Sequence, residues 1–448
     1  MATKSEKPLA WWQLSLLGVA CTIGTGFFLG SSIAINMAGP SVLIAYIIAA
    51  IGTYCVYEAL SKLMINDPQK GAFRSYAKNA YGRWAGFSSG WVYWSSEMLI
   101  IGSQLTAISI FTQFWFPNVP LWVLASIYAA LALFVILIGP KGFDRVENLL
   151  AILKAAAIVM FIVLAILALF GLFGRNDATI TVPRTIASLF PNGITGLLPA
   201  LIFGFYGFGG IEIMSLLAIR LKDMNDAPKS GKVMLVLLIV IYLLSLSFAM
   251  LMVKWNEIKV DESPFVTALN QYNIVYVQDI FNGVFIIAGF STMVASLFAV
   301  IRILVTLAED HDAPKLFAKK IKNKLELPAI LLTTSGIIVS IILSIFMPDN
   351  IYEFVTTAAG LMLLYNWLFI LASFGRILPL EGSEQIKRIV GCLLIIAAVI
   401  GTLFHHTSRP GFFISLLFLF VIAIITLIMS QKWKKKHSDD DTTLFKKL

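Results

Sequence analysis

Runs of about twenty apolar residues recur along this chain from one end to the other, separated by short segments that hold most of the charges. A helical run of that length matches the hydrocarbon thickness of a bilayer. Inside a bilayer every backbone N–H and C=O must be satisfied internally, which a helix does on its own. The repetition therefore predicts an all-α integral membrane protein with many spans. Composition agrees: 58% of residues are hydrophobic and 13% charged, where soluble domains carry about a quarter charged. No segment is left to build a separate soluble domain. The first run begins near Leu9 behind Lys4 and Lys7. It is too long for the apolar core of a signal peptide and lacks a small-x-small cleavage pattern, so it reads as a retained helix.

Charges and turn residues divide the runs into twelve predicted transmembrane helices, near 13–36, 40–64, 84–115, 119–139, 149–173, 192–220, 232–254, 275–306, 328–347, 350–375, 386–404 and 411–430. With the N-terminus inside, only Arg175, Arg184, Lys254, Lys259 and Arg409 fall in outer loops, and Lys154 falls within a span. Every other Lys and Arg lies on the inner side. That asymmetry predicts a multi-pass protein of the cell membrane with both termini cytoplasmic. It also accounts for the net charge of +9 without nucleic acid, since Lys432 to Lys436 would face anionic lipid. Cys21, Cys55 and Cys392 sit in apolar runs without metal spacing and read as packing residues.

Two spans carry residues a membrane helix does not need. The first contains Thr22-Ile23-Gly24-Thr25-Gly26, and the sixth contains Tyr206-Gly207-Phe208-Gly209-Gly210. Each glycine lowers helical preference by about 1 kcal/mol, so two or three in one turn invite unwinding. Close helix packing also uses glycine, but it does not explain why the clusters open corresponding groups of five helices. Interrupted spans at matched positions point to a transporter site between inverted repeats. Such a break exposes N–H groups, suited to a carboxylate, and carbonyls, suited to an ammonium. An amino acid carries both.

At these residues the chain resembles the amino acid–polyamine–organocation permeases. IGTGFFLGS resembles the family's first-helix motif, and Phe208-x-Gly210-x-Glu212 its sixth-helix pattern. Trp91-x-Tyr93-Trp94 after Gly90 resembles the third-helix motif, and Arg302 followed by LAEDHDAPKLFAK the end of the eighth. The resemblance implies a LeuT-like fold of five plus five helices in inverted repeat, with broken helices 1 and 6 and two further C-terminal helices. Residues 1–12 would form a cytoplasmic N-terminus, 13–173 and 192–375 the two repeats, 386–430 the last two helices, and 431–448 a basic cytoplasmic tail. It also implies that a substrate carboxylate meets the Thr25 hydroxyl and the Gly26 N–H. The ammonium would meet carbonyls near Thr22, Ile23, Tyr206 and Gly209, with Gly24, Gly207 and Gly210 freeing the backbone. Tyr206 would cap the substrate, and Glu212 matches a carboxylate associated with the gate. Gln104 stands where several relatives carry a glutamate.

Glu58, Glu97, Lys154 and Glu212 fall inside apolar spans, where ionisable residues cost about 2.5–3.5 kcal/mol on insertion scales and are functional candidates. Lys154 has two readings. Some proton-coupled members of the family place a lysine here where sodium-coupled cousins bind the ion, and a desolvated lysine can lose its proton. Alternatively, it bonds permanently to carbonyls of the first helix. Glu97 is a second coupling candidate. A sodium site would need hydroxyls such as Ser291, Thr292 and Ser296 turned toward the first helix.

No filter motif or charged ring marks a channel. His311, His405, His406 and His437 lack the spacing of a metal site, and an enzyme is not expected. The sequence predicts a secondary active amino acid permease without cofactor or metal, monomeric or a weak homo-oligomer. Its expected substrate is a small neutral amino acid such as serine, threonine, alanine or a branched-chain residue, with glutamate a further candidate, moved with a proton or else with sodium. An exchanger, or a nutrient sensor retaining the fold, are the alternatives.

Overall fold

The computed structural model describes residues 8–69, 71–138, 140–172, 182–272, 274, 276–319, 326–346 and 351–445. These residues form α1 (Trp11–Thr22), α2 (Thr25–Phe28), α3 (Gly30–Ala38), α4 (Val42–Asn66), α5 (Ala72–Tyr81), α6 (Arg83–Gln113), α7 (Leu121–Ile138), α8 (Pro140–Leu169) and α9 (Ile186–Leu189). The chain continues through α10 (Gly193–Tyr206), α11 (Ile211–Ala218), α12 (Ala227–Met252), α13 (Pro264–Leu269), α14 (Val277–Glu309), α15 (Leu327–Phe346), α16 (Ile351–Ile377), α17 (Gly382–Gly401) and α18 (Arg409–Phe445). Among the described residues the extended pairing is a single bridge, where Leu9 N–H donates to Arg220 O at 2.7 Å and Lys222 N–H to Leu9 O at 2.9 Å.

Eight described stretches are long and apolar enough to cross a membrane. The helix at the centre of the molecule, α6, is not among them, although its 31 residues span about 46 Å at 1.5 Å each. Its Ser88, Ser89, Ser95, Ser96 and Ser103 are all buried, and it lies between α14 and α16. A helix surrounded by protein needs no apolar exterior, so hydropathy understates it. By contrast α7 turns Ile127, Leu131 and Phe134 outward, and α18 exposes Leu417 and Phe420. Such contiguous apolar surface suits lipid.

Several boundaries differ from those expected. The predicted helix 13–36 is three pieces, and 192–220 is two. The stretch between the predicted helices 40–64 and 84–115 contains α5, and the segment after α12 contains α13. The last helix runs to Phe445 rather than ending near 430.

Charged contacts tie the helix ends. Arg74 of α5, 1% exposed, donates from Nη1 to Asp310 Oδ2 at 2.8 Å and from Nη2 to Asp312 Oδ2 at 2.6 Å. Arg83 Nε reaches Asp312 Oδ1 at 2.8 Å. A buried carboxylate held by two guanidinium groups is tolerated because opposite charges and charge-assisted hydrogen bonds replace its water. Glu58 is also ion-paired, with Lys387 at 2.9 Å, and Lys62 joins Glu384 beside it.

Candidate functional site

The first break lies at Ile23 and Gly24. Ile23 N–H still donates to Val19 O at 3.0 Å, but Ile23 and Gly24 are both extended, with ψ of 114° and −161°. Gly24 is needed for space rather than for its dihedrals, since a Cβ there would stand 2.8 Å from both Cγ2 and Oγ1 of Thr292. The chain then re-enters helix at Thr25 and continues through Leu29, in the α region, to Ala38. The N–H groups of Thr25 and Gly26 therefore begin a helix and face away from its carbonyls.

The second break lies at Gly207 to Gly210. Gly209 N–H turns back to Tyr206 O at 3.1 Å, and Gly210 adopts φ +114°, a left-handed conformation that glycine takes readily. Gly210 caps α11. Its N–H donates to Glu212 Oε1 at 3.0 Å, while Trp367 Nε1 donates to Glu212 Oε2 at 3.2 Å.

The breaks meet. A Cβ on Gly210 would lie 3.2 Å from Thr22 Oγ1, and one on Gly26 would lie 2.7 Å from Tyr206 Cδ1. Thus Thr22, Gly26, Tyr206 and Gly210 form one region. Gly207 is held by Tyr242, whose hydroxyl donates to Gly207 O at 2.7 Å. Leu363 crowds Gly209, 3.0 Å from where its Cβ would be.

Polar side chains from α6 and α16 close over this region. The Thr25 hydroxyl donates to Gln104 Oε1 at 2.5 Å, and the Tyr352 hydroxyl donates to Thr25 O at 3.1 Å. The Tyr206 hydroxyl donates to Ser103 Oγ at 3.1 Å, and Ser103 lies 2.8 Å from Thr356 Oγ1. Ser103, Tyr352 and Thr356 were not singled out from sequence, because a hydroxyl in an apolar span gives no sign of where it points. Gln104 was visible as a departure from the family pattern.

The two coupling candidates contact different helices. Lys154 Nζ, buried on α8, donates to Ala20 O of α1 at 2.8 Å. Glu97, 1% exposed on α6, lies within electrostatic reach of Glu212 and beside Tyr93 and Ser296. The Thr292 hydroxyl donates along its own helix, to Ala288 O at 3.1 Å and Gly289 O at 3.0 Å.

Comparison with known proteins places this architecture. The family model described as amino acid permease matches residues 13–430. The chain belongs to the amino acid permease family. The permease is 56% identical over 440 residues to the uncharacterized transporter YcgH of Bacillus subtilis (strain 168), covering 98% of each chain. It is 32% identical over 361 residues to the uncharacterized amino acid permease YvbW of the same organism, covering 80% of this chain and 81% of that one. It is 26% identical over 438 residues to the aromatic amino acid transport protein AroP of Escherichia coli (strain K12), covering 95% and 94%. With its apolar helices, the permease is a multi-pass membrane protein, and its family and relatives carry the names of transporters.

Proposed function

We propose that this permease is a secondary active transporter that imports a small neutral amino acid together with a proton, by alternating access in the cell membrane with both termini cytoplasmic. The observation that carries the reading is the meeting of the two breaks, with the Tyr206 ring against Gly26 and Thr22 against Gly210. On this reading the chain has twelve spans. α1 to α8 make the first five-helix repeat and α10 to α16 the second, inverted one, with α17 and α18 appended.

The substrate carboxylate binds the N–H groups of Thr25 and Gly26, at the start of the helix Thr25–Ala38, where backbone donors and the helix dipole favour an anion. The ammonium binds carbonyls at the other side of the breaks, near Thr22, Ile23, Tyr206 and Gly209. Tyr206 must swing off Gly26 to admit the substrate and returns to cover it, which makes it a gate. The side-chain compartment is bordered by Ser103, Gln104, Tyr206 and Thr356. This small polar border favours serine, threonine or alanine over the aromatic residues named for the E. coli relative.

The test is reconstitution into liposomes with a panel of radiolabelled amino acids, aromatic ones included, with and without a pH gradient and with and without sodium. Accumulation of a small neutral residue under an inward proton gradient supports the proposal. Accumulation driven by sodium alone, or movement only in exchange for internal amino acid, replaces it with a sodium symporter or an exchanger.

A further inference from the structure

Two tyrosines converge on Gly207 of the second break. Tyr46 of α4 and Tyr242 of α12 are fully buried, with ring centroids 5.8 Å apart and planes at 85°. They share neighbours from both breaks. Phe27, next to Gly26, stacks on Tyr242 at 4.0 Å and meets Tyr46 edge-on at 6.3 Å, and Phe208 lies 5.2 Å from Tyr242 and 6.4 Å from Tyr46. Small residues let α4 come this close to α10: a Cβ on Gly204 would lie 3.1 Å from Ala49 Cβ and 3.3 Å from Ala45 O. Tyr46, beside Ala45, thereby brings Cε1, the ring carbon next to the one that carries the hydroxyl, to 3.4 Å from where a Gly207 Cβ would stand.

The two hydroxyls are in opposite conditions. That of Tyr242 donates to Gly207 O at 2.7 Å. That of Tyr46 has no hydrogen-bond partner among the described residues. A buried hydroxyl without a partner destabilises the conformation that holds it, and phenylalanine would fill the same space without the penalty. The ring contacts therefore account for an aromatic residue at position 46 but not for its oxygen. The second break offers an acceptor that does. Phe203 O, Phe205 O and Tyr206 O receive the N–H groups of Gly207, Phe208 and Gly209 at 2.9, 2.9 and 3.1 Å, whereas Gly207 O receives a side chain from another helix. Gly207 has ordinary helical dihedrals here, φ −63° and ψ −18°, and without a Cβ it leaves them more freely than other residues.

We propose that Tyr46 is a positioning residue of the transport cycle: when the second break rearranges, Gly207 O passes from the Tyr242 hydroxyl to the Tyr46 hydroxyl. This rests on the reading of the two breaks as the transport site. No covalent bond changes, and one O–H···O bond is exchanged for another. A buried carbonyl stripped of its donor would oppose the rearrangement, and a second tyrosine beside the same glycine removes that opposition. The two conformations are then alike in their polar balance, since in the other one it is Tyr242 that has given up its acceptor.

Hydrogen–deuterium exchange of the purified, membrane-reconstituted protein, followed on the segment 203–212, tests this with two isosteric variants. Tyr242→Phe removes the bond of the present conformation and should speed exchange of the break amides about fivefold. Tyr46→Phe removes the donor of the other conformation and relieves the unpartnered hydroxyl in this one. It should slow the same amides by about the same factor and leave the melting temperature unchanged or higher. A Tyr46 that only fills space would leave exchange unchanged, and one already bonded in this conformation would speed exchange and lower the melting temperature; either result overturns the proposal. In counterflow of radiolabelled serine, Tyr46→Phe should lower the maximal rate several-fold with apparent affinity within about twofold of the parent. Loss of affinity at an unchanged rate would make the hydroxyl a substrate ligand and overturn the proposal. Opposite exchange shifts in the two variants, with no counterflow of any amino acid by the parent, would remove the transporter reading and leave the donor exchange standing.

Discussion

The hydroxyl of Thr25 donates to Gln104 Oε1 at 2.5 Å, so the one proton that Thr25 could offer a substrate carboxylate is already committed. An incoming carboxylate must then rely on backbone N–H groups, or displace Gln104. Gln104 thus acts as an internal competitor for Thr25. Replacing it with glutamate would keep the acceptor but add a charge beside the place where the carboxylate binds. Gln104→Glu should reduce uptake at neutral pH by about tenfold or more, a penalty of 1.4 kcal/mol or above. Because a protonated glutamate is neutral, the loss should shrink as the external pH falls. Initial uptake rates of parent and variant across pH check this; equal pH profiles would remove Gln104 from the site.

Gly26 and Tyr206 make the second prediction. A Cβ on Gly26 would stand 2.7 Å from Cδ1 and 2.8 Å from Cε1 of Tyr206, closer than carbon atoms approach. Alanine would push the ring aside and break its bond to Ser103. Overpacking of this kind costs about 1–3 kcal/mol. Gly26→Ala should lower uptake at least several-fold, and Gly26→Val should abolish it, with both proteins still in the membrane by immunoblot. Tyr206→Phe, which loses only the bond to Ser103, should change apparent affinity a few-fold. Tyr206→Ala should weaken apparent affinity further and slow exchange. Normal uptake by Gly26→Val would sink the site assignment.

What could be read from the sequence follows the physics of each signal. Glycine clusters announce broken helices because glycine disfavours helix whatever surrounds it, and both clusters do interrupt helices at Gly24 and Gly207 to Gly210. Buried charge is equally visible, since Glu97, Lys154 and Glu212 stand out against apolar neighbours. What each charge meets is not visible, because it depends on how distant helices pack: Lys154 is 134 residues from Ala20, and Trp367 is 155 from Glu212. The short helix α5 was missed for a different reason. Its ten residues are too few to span a bilayer and include Arg74 and Lys78, and the burial of Arg74 arises only once Asp310 and Asp312 arrive from α14's end.

Arg74 gives a prediction about stability. Its partner Asp312 is fully buried, whereas Asp310 is 39% exposed and contributes less. Arg74→Ala leaves the Asp312 carboxylate with Arg83 as its remaining guanidinium. Breaking a buried pair costs about 3–5 kcal/mol, so the variant should unfold at clearly lower temperature in detergent and accumulate poorly in cells. Arg74→Lys, which keeps the charge but not the two-pronged geometry, should fall between them. An unchanged melting temperature for Arg74→Ala would show that the network is not structural.

Lys154 tests how the proton is carried. Its Nζ bonds to the Ala20 carbonyl at 2.8 Å, two residues before Thr22, and so braces α1 just where the first break begins. Bonded to that carbonyl, Lys154 is a fixed cation. Uptake by the parent should fall as external pH rises, because the driving proton enters from outside, and it should need no sodium. Lys154→Ala should lose most uptake through loss of the brace, and the uptake that remains should keep the parent's fall with rising external pH. Residual uptake that no longer responds to external pH would make Lys154 part of the proton site itself. Parent uptake that depends strictly on sodium and ignores a pH gradient would rule out proton coupling by either route.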